Sequence, residues 1–151
     1  MTDLSHYSRT KTITMQDASQ YPDQIKPNGL WVSVDGPDDW ATWCREEDFG
    51  DIDQQNRFTV TLNQNANILT LSGLEDLLHF TSRYRNTAPS DLALLSVGEW
   101  IDWLSVADDF QGIIIAPYCY AARMQLLWYY GWDCASGCIW DASAIDQITR
   151  A

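Results

Sequence analysis

The sequence predicts a single α+β domain, with small antiparallel or mixed sheets flanked by helices. Its 151 residues suit one domain with a substantial core rather than two. Strand-like and helix-like segments are mixed without the strict alternation that a parallel α/β sheet requires. Because no repeat, low-complexity tract or long linker divides the chain, we assign residues 1–151 to one domain.

Five short segments have the composition of strands, since they are rich in β-branched or aromatic residues and bounded by Gly, Pro or Asn. The second and third are joined by only four residues, at 63–66, which favours an antiparallel hairpin. The predicted strands cover residues 29–34, 57–62, 67–71, 112–116 and 137–140.

Helices are predicted from their start signals. A Ser followed three residues later by Glu, at 72–75 and again at 96–99, predicts two capping boxes, and apolar residues at helical spacing follow each. A third helix is predicted over 118–130, ending at the glycine that follows. Asp38 or Asp39 would cap a short helix that contains the next tryptophans.

The charge balance limits the classes of partner. The chain has 21 acidic and 9 basic residues, a net charge of −12, which disfavours non-specific binding to nucleic acid. Residues 35–53 carry eight carboxylates and one Arg. This stretch is typical of a solvated surface, and the alternative is an acidic interaction face for a basic protein partner, such as a nucleic-acid-handling or defence protein.

Two further patterns in the sequence bear on the cellular location of the protein. No apolar run approaches the roughly 20 residues that span a bilayer, and the N-terminus lacks the pattern of a signal peptide. The four cysteines are too few for a dense disulfide framework. We therefore expect no membrane association and a cytoplasmic location.

Cys134 and Cys138 are predicted to be buried free thiols. In an extended segment their Cα atoms would lie about 13 Å apart, beyond the reach of a disulfide. A zinc site would need a second Cys or His pair at a recognisable spacing, which the chain lacks, so no metal is predicted. A nucleophilic pair of Cys138 with His6 stays open as an alternative.

The eight tryptophans are predicted to be mostly core, because indole rings bury large areas. A few of them would line a pocket or face a partner, since Trp is also enriched at binding sites. The sequence does not sort the two groups.

Two segments place an early His and a later Ser on short apolar stretches: Leu4-Ser-His6-Tyr-Ser-Arg9 and Lys26-Pro-Asn-Gly-Leu-Trp-Val-Ser33. A strand pair, two helices and a late Gly-Ile-Ile-Ile segment follow. This order resembles the ADP-ribosyltransferase fold, whose first strand carries a His, second a Ser or Tyr, and late strand a Glu. The tail over 128–141 resembles uncharacterised proteins of bacteria and bacteriophages, which brings no function with it.

The resemblance implies that NAD is the substrate. His6 would bind a ribose hydroxyl of NAD, and Ser33 would lie beside the nicotinamide. Tyr7 stands where many relatives have Gly. Because the chain has no Gly-rich phosphate loop, the pyrophosphate would meet Arg9, the best single candidate, with hydroxyl groups such as that of Ser8.

The late strand departs from the family pattern, because Ile114 stands near the position of the catalytic Glu and cannot stabilise charge. Asp109, just before that strand, or Asp133 in the tail would have to substitute. The catalytic set implied is then His6, Ser33 and Asp109. Some relatives with an apolar residue there transfer a single ADP-ribose by using a carboxylate of the protein acceptor, and others are inactive.

Each of these residues also has a plainer interpretation. His6 could be a half-buried histidine whose ring satisfies a backbone carbonyl, and Ser33 could face outward. His79 belongs to the polar side of its helix and is assigned no role. The functions left open are an NAD-dependent ADP-ribosyltransferase or diverged NAD-binding protein, an acidic protein-binding module, and a small hydrolase using Cys or Asp.

Overall fold

The computed structural model describes residues 3–22, 24–86 and 100–151. Within them, seven strands form one mixed sheet, accompanied by four short α-helices, so the α+β prediction is confirmed. The strands are β1 (Leu4–Ser8), β2 (Leu30–Val34), β3 (Asn56–Leu62), β4 (Ile68–Leu71), β5 (Gly112–Ile115), β6 (Ser136–Ile139) and β7 (Ile145–Arg150). The helices are α1 (Trp40–Glu46), α2 (Leu74–Arg83), α3 (Trp103–Asp109) and α4 (Tyr120–Arg123).

The strand order is β4-β5-β6-β2-β1-β3-β7. All neighbours are antiparallel except β4 and β5. The predicted hairpin of β3 with β4 is therefore wrong, since β4 lies at the far edge of the sheet. Asn63, in the connection, is held instead at the 3₁₀ turn that precedes β7: its backbone N–H donates to Ala144 O at 2.8 Å, and its side chain donates to Ser143 O at 2.6 Å.

Alternating residues of the central strands enter two cores on opposite faces of the sheet, as the period of two requires. On β5, Ile113 and Ile115 join the larger core, which α2, α3 and α4 cover, whereas Ile114 joins the smaller one. Apolar residues of the irregular segment after β1, Ile13 and Met15, pack against the smaller core.

The edge strand β7 was not predicted. Only Ile145 and Ile148 of its six residues are apolar, and they are three positions apart, so the period of two is missing. The strand forms because β3 presents a full edge for pairing, from Phe58 opposite Arg150 to Leu62 opposite Ile145.

The positions at which the helices start agree in part with those predicted from the sequence. Asp39 caps α1 as predicted, since its side chain accepts from Thr42 N at 2.9 Å. At α2 the predicted capping box is wrong: Gly73 is the N-cap, and Asp76, not Glu75, reaches back to accept from the Ser72 N–H at 2.8 Å.

The predicted capping box at 96–99 lies outside the described residues. The helix that follows it starts later than expected, because Asp102 is the N-cap of α3 and accepts from Ser105 N at 3.3 Å. Ile101, expected in the helix, instead forms an isolated bridge with Arg85.

The long helix over 118–130 is wrong, because α4 has four residues and a 3₁₀ turn follows at Leu127–Tyr129. Trp128 and Tyr129 are both fully buried. The Cys119 N–H donates to the Tyr129 hydroxyl at 3.1 Å. Along a continuous helix these two residues would lie about 15 Å apart, so the chain has to fold back between them. None of the described helices combines the length and apolar character needed to cross a bilayer.

Candidate ligand pocket between β1 and β2

A pocket of about 490 Å³ opens where β1 and β2 separate. The two strands pair only at one end, with Leu4 opposite Val34 and Ser5 opposite Ser33. Beyond these pairs the strands diverge and the ladder ends. Residues 5–7, 31–33 and 131–134 line the pocket, together with Lys26, Trp40, Phe49 and Ser136.

His6 bridges the strands at the point where the ladder ends. Its Nδ1 lies 2.6 Å from the carbonyl oxygen of Trp31, and its ring lies 6.5 Å from that of Phe58. Because a carbonyl can only accept, Nδ1 carries the proton, and Nε2 of a neutral ring is then an acceptor. The plain interpretation of His6 is therefore confirmed, and the same bond orients the ring at the pocket wall.

Ser33 joins the sheet to α1. It is 4% exposed, so the outward-facing interpretation is wrong. Its Oγ accepts from the Trp40 N–H at 2.9 Å, which places Trp40, the first residue of α1, beside the pocket. The sheet register also aligns Ser33 with Ser5 and Ser136, so three buried serines form one rung across β1, β2 and β6.

Aromatic rings form the walls of the pocket. Trp31 and Trp132 meet edge to face at 4.9 Å between centroids. Trp40 stacks on Trp43 at 5.1 Å, and Phe49 meets the Trp40 ring edge to face at 5.8 Å. Edge-to-face and offset contacts at these distances favour defined ring orientations, so the pocket offers flat aromatic surfaces.

A few polar groups interrupt these walls. Asp133 is half-buried and forms an ion pair with Arg123, with 3.3 Å between Oδ1 and Nη1. Lys26 lies with its Nζ 5.5 Å from the Trp31 ring centroid. Burial raises the pKa of Tyr7, which therefore stays a protonated phenol at neutral pH.

Of the predicted site residues, the structure brings His6, Tyr7, Ser33 and Asp133 together at this pocket. Tyr7 also packs against the residues around α1. Ile114 lies on the opposite face of the sheet from the serine rung, within the smaller core.

Ser8, Arg9 and Asp109 do not line the pocket. The Ser8 hydroxyl pairs with that of Thr10 at 2.8 Å, and Arg9 is exposed and paired with Asp51 at 3.5 Å. Asp109 accepts from Tyr84 Oη at 2.6 Å. It precedes the end of β5 that pairs with Ile139, whereas the serine rung crosses the other end, so the structure does not assemble His6, Ser33 and Asp109 into one site.

Sequence reasoning did not identify Lys26, Trp31, Trp40, Phe49 or Trp132 as pocket residues. A signal for Lys26 was present, since the chain contains only two lysines. The tryptophans carried no such signal, because a tryptophan of the core and a tryptophan of the pocket wall cannot be told apart in the sequence. Most of the eight tryptophans were predicted to be core, and half of them are: Trp103, Trp128, Trp132 and Trp140 are buried, and the other four are half-buried.

All four cysteines are free, and Cys44, Cys134 and Cys138 are buried, which confirms the prediction of buried free thiols at 134 and 138. Burial raises the pKa of Cys44 and Cys138, and that of Cys134 to about 12. The Cys138 Sγ contacts Pro27 O at 3.7 Å, whereas His6 binds Trp31 O, so no hydrogen bond joins the two. Nowhere in residues 3–22, 24–86 and 100–151 do three His, Cys, Asp or Glu side chains gather as metal ligands would.

We expect one fast-reacting thiol in the native protein. At pH 8, an aromatic disulfide reagent should modify the half-buried Cys119 first, because buried thiols are protonated and inaccessible. The other three should react only on unfolding. The Cys119→Ser variant should lose the fast phase, and any fast-reacting thiol in that variant would contradict the burial of Cys44, Cys134 and Cys138.

Comparison with family models, with curated proteins and with solved structures finds no match to this chain.

Proposed function

We propose that this protein binds NAD in the pocket between β1 and β2. The observation that carries the proposal is that His6 and Ser33, distant in sequence, line one aromatic-walled cleft. A volume of about 490 Å³ is within the usual range for small-molecule sites, which are mostly apolar with a few placed polar groups. Flat walls formed by Trp31, Trp40 and Trp132 suit a planar heterocycle such as nicotinamide.

The fixed tautomer of His6 supports this proposal. Since Nδ1–H is used by the Trp31 carbonyl, Nε2 is left to accept from a donor such as a ribose hydroxyl. The bond to the backbone and the bond to a ligand thus use different ring atoms. His6 can therefore bind the Trp31 carbonyl and a ligand at the same time.

Transfer of ADP-ribose is the activity that the resemblance implies for such a site. In that reaction the C–N bond between ribose and nicotinamide breaks, and nicotinamide leaves with the bonding electrons. An acceptor nucleophile bonds to the ribose carbon and releases its proton. Among the described lining residues Asp133 is the carboxylate, and it would stabilise the positive charge that develops on the ribose, a role that Ile114 cannot fill.

Binding of NAD should raise the melting temperature of the wild-type protein. A ligand specific for the native state adds about 2.7 kcal/mol at one hundred times Kd, which is a rise of about 5–10 °C for a domain of this size. Titration calorimetry should give the affinity, and nicotinamide released in the same samples reports turnover. The absence of both a thermal shift and a heat of binding would reject the proposal.

Two variants of His6 separate its structural bond from its ligand bond. His6→Ala should lower the free energy of unfolding by about 1–3 kcal/mol, because the Trp31 carbonyl loses its donor, and should also abolish binding. His6→Asn can still donate to that carbonyl but lacks Nε2, so it should recover stability without recovering affinity. His79→Ala, on the exposed side of α2, is the matched control and should change neither.

The alternative function, an acidic interaction face over residues 35–53, receives less support. Asp39 caps α1, Asp38 accepts from the Tyr118 N–H at 2.7 Å, and Asp35 pairs with Arg57 at 2.6 Å. Asp51 and Asp53 are paired with arginines. Most carboxylates of the stretch thus hold the fold or neutralise a cation.

A further inference from the structure

Lys26 is the cation of the pocket. Its Nζ lies over the Trp31 ring, and its stem passes close to Gly131, where an added Cβ would lie 3.2 Å from Lys26 Cε. Glycine at 131 therefore leaves room for the lysine stem. These contacts hold the ammonium group beside the aromatic walls.

Lys26 differs from most basic residues of this protein in having no anionic partner. In the part of the chain that the structure describes, no carboxylate lies within 4.0 Å of its Nζ, whereas five arginines form ion pairs. In a protein of net charge −12, an ammonium group without a counter-charge is a local point of attraction for anions. Asp133, also in the pocket, pairs with Arg123 and not with Lys26.

Access to solvent separates Lys26 from the buried donors around it. Lys26 is exposed, so its ammonium is open to a ligand that enters the pocket, whereas the Trp132 Nε1 is enclosed by the protein. An accessible ammonium group without a counter-charge favours a ligand that carries an anionic oxygen.

We propose that the pocket recognises a phosphate group of its ligand, and that the Lys26 ammonium is the charged partner of that phosphate. This inference rests on the proposed function and specifies it, because NAD would then place its pyrophosphate at Lys26 rather than at Arg9. Arg9 is exposed, paired with Asp51 and outside the pocket lining. Lys26 is a binding residue in this proposal and has no part in bond breaking.

The test compares nicotinamide riboside with nicotinamide mononucleotide, which differ by one phosphate, by titration calorimetry. The wild-type protein should bind the mononucleotide about ten to a hundred times more tightly, as expected for a charge-assisted hydrogen bond. Lys26→Met keeps a stem of similar length over Trp31 without the charge, and should remove this preference while leaving the riboside affinity unchanged. Lys11→Met changes the other lysine, which is also exposed but does not line the pocket, and it should behave as wild type.

Inorganic pyrophosphate, titrated with detection by ³¹P line broadening, separates the two proposals. If neither pyridine compound binds but pyrophosphate binds to the wild type and not to Lys26→Met, the NAD proposal fails and the anion site at Lys26 stands. If the pyridine compounds bind with equal affinity, or if Lys26→Met keeps the phosphate preference, the role of Lys26 is overturned while NAD-type binding survives. Absence of binding by all three probes overturns both.

Discussion

Replacing Trp128 by Ala should lower the free energy of unfolding by about 3–5 kcal/mol, the usual cost of truncating a buried aromatic side chain. Trp128 is fully buried, and its ring contacts Phe80 and Trp103 at centroid distances of 5.4 and 6.1 Å. Its Nε1 donates to Thr81 Oγ1 at 2.9 Å. The truncation leaves a cavity in the larger core and removes this hydrogen bond.

Urea unfolding followed by circular dichroism measures this loss. Since domains are stable by only about 5–15 kcal/mol, Trp128→Ala could unfold outright, and Trp128→Phe then gives the smaller step, because it keeps an aromatic ring and loses the N–H. Met124→Ala is the control, since Met124 is 81% exposed and should change stability by about 0.5 kcal/mol or less. A loss below about 1 kcal/mol for Trp128→Ala would show that the ring is not packed as described.

Replacing Gly137 by Ala should lower the free energy of unfolding by about 3 kcal/mol, the upper end of the range for overpacking. Gly137 lies in β6, in the middle of the sheet between β5 and β2. An added Cβ would collide with the Ile113 carbonyl oxygen and lie 2.8 Å from Ile114 Cγ1 and 3.1 Å from Ile114 Cα. Because two of these atoms belong to the backbone, β5 and β6 would have to move apart.

Such a movement should also weaken NAD binding, since Ser136 of the pocket adjoins Gly137. Gly36→Ala is the matched control: its Cβ would meet only Asp38 Oδ1 at 3.7 Å, an ordinary contact. Melting temperature and NAD affinity should therefore change together in Gly137→Ala and stay constant in Gly36→Ala. Equal stability of the two variants would mean that β5 and β6 are not spaced as they are here.

The strands that were predicted correctly are those whose own residues have the composition and alternation of a strand. The segment before Asp35 alternates apolar residues toward one core with Trp31 and Ser33 toward the other face, and the Ile-rich β5 is buried on both faces. In each case composition and burial agree. The α1 cap at Asp39 was predictable for the same reason, because a cap depends on atoms only a few residues apart.

The elements that the sequence missed depend on partners distant in the chain. β7 has no strand pattern of its own and forms against the free edge of β3. The region over 118–130 has a helical pattern, but the hydrogen bond from the Cys119 N–H to the Tyr129 hydroxyl requires the chain to fold back between these residues, which a continuous helix does not allow. The connection at 63–66 has the length of a hairpin, yet Asn63 binds the backbone near Ala144 instead.

For the site, the sequence by itself determined which groups are available: one His in β1, one Ser in β2, two lysines in an acidic chain, and many indole rings. Only the tertiary structure decided which of them meet. The pocket opens because β1 and β2 stop pairing after two residue pairs. The hydrogen bond from His6 to Trp31 O sets which ring nitrogen is left for a ligand, and the glycine at 131 leaves room for the stem of Lys26. These are consequences of strand register and of packing between segments more than twenty residues apart, which local sequence patterns do not encode.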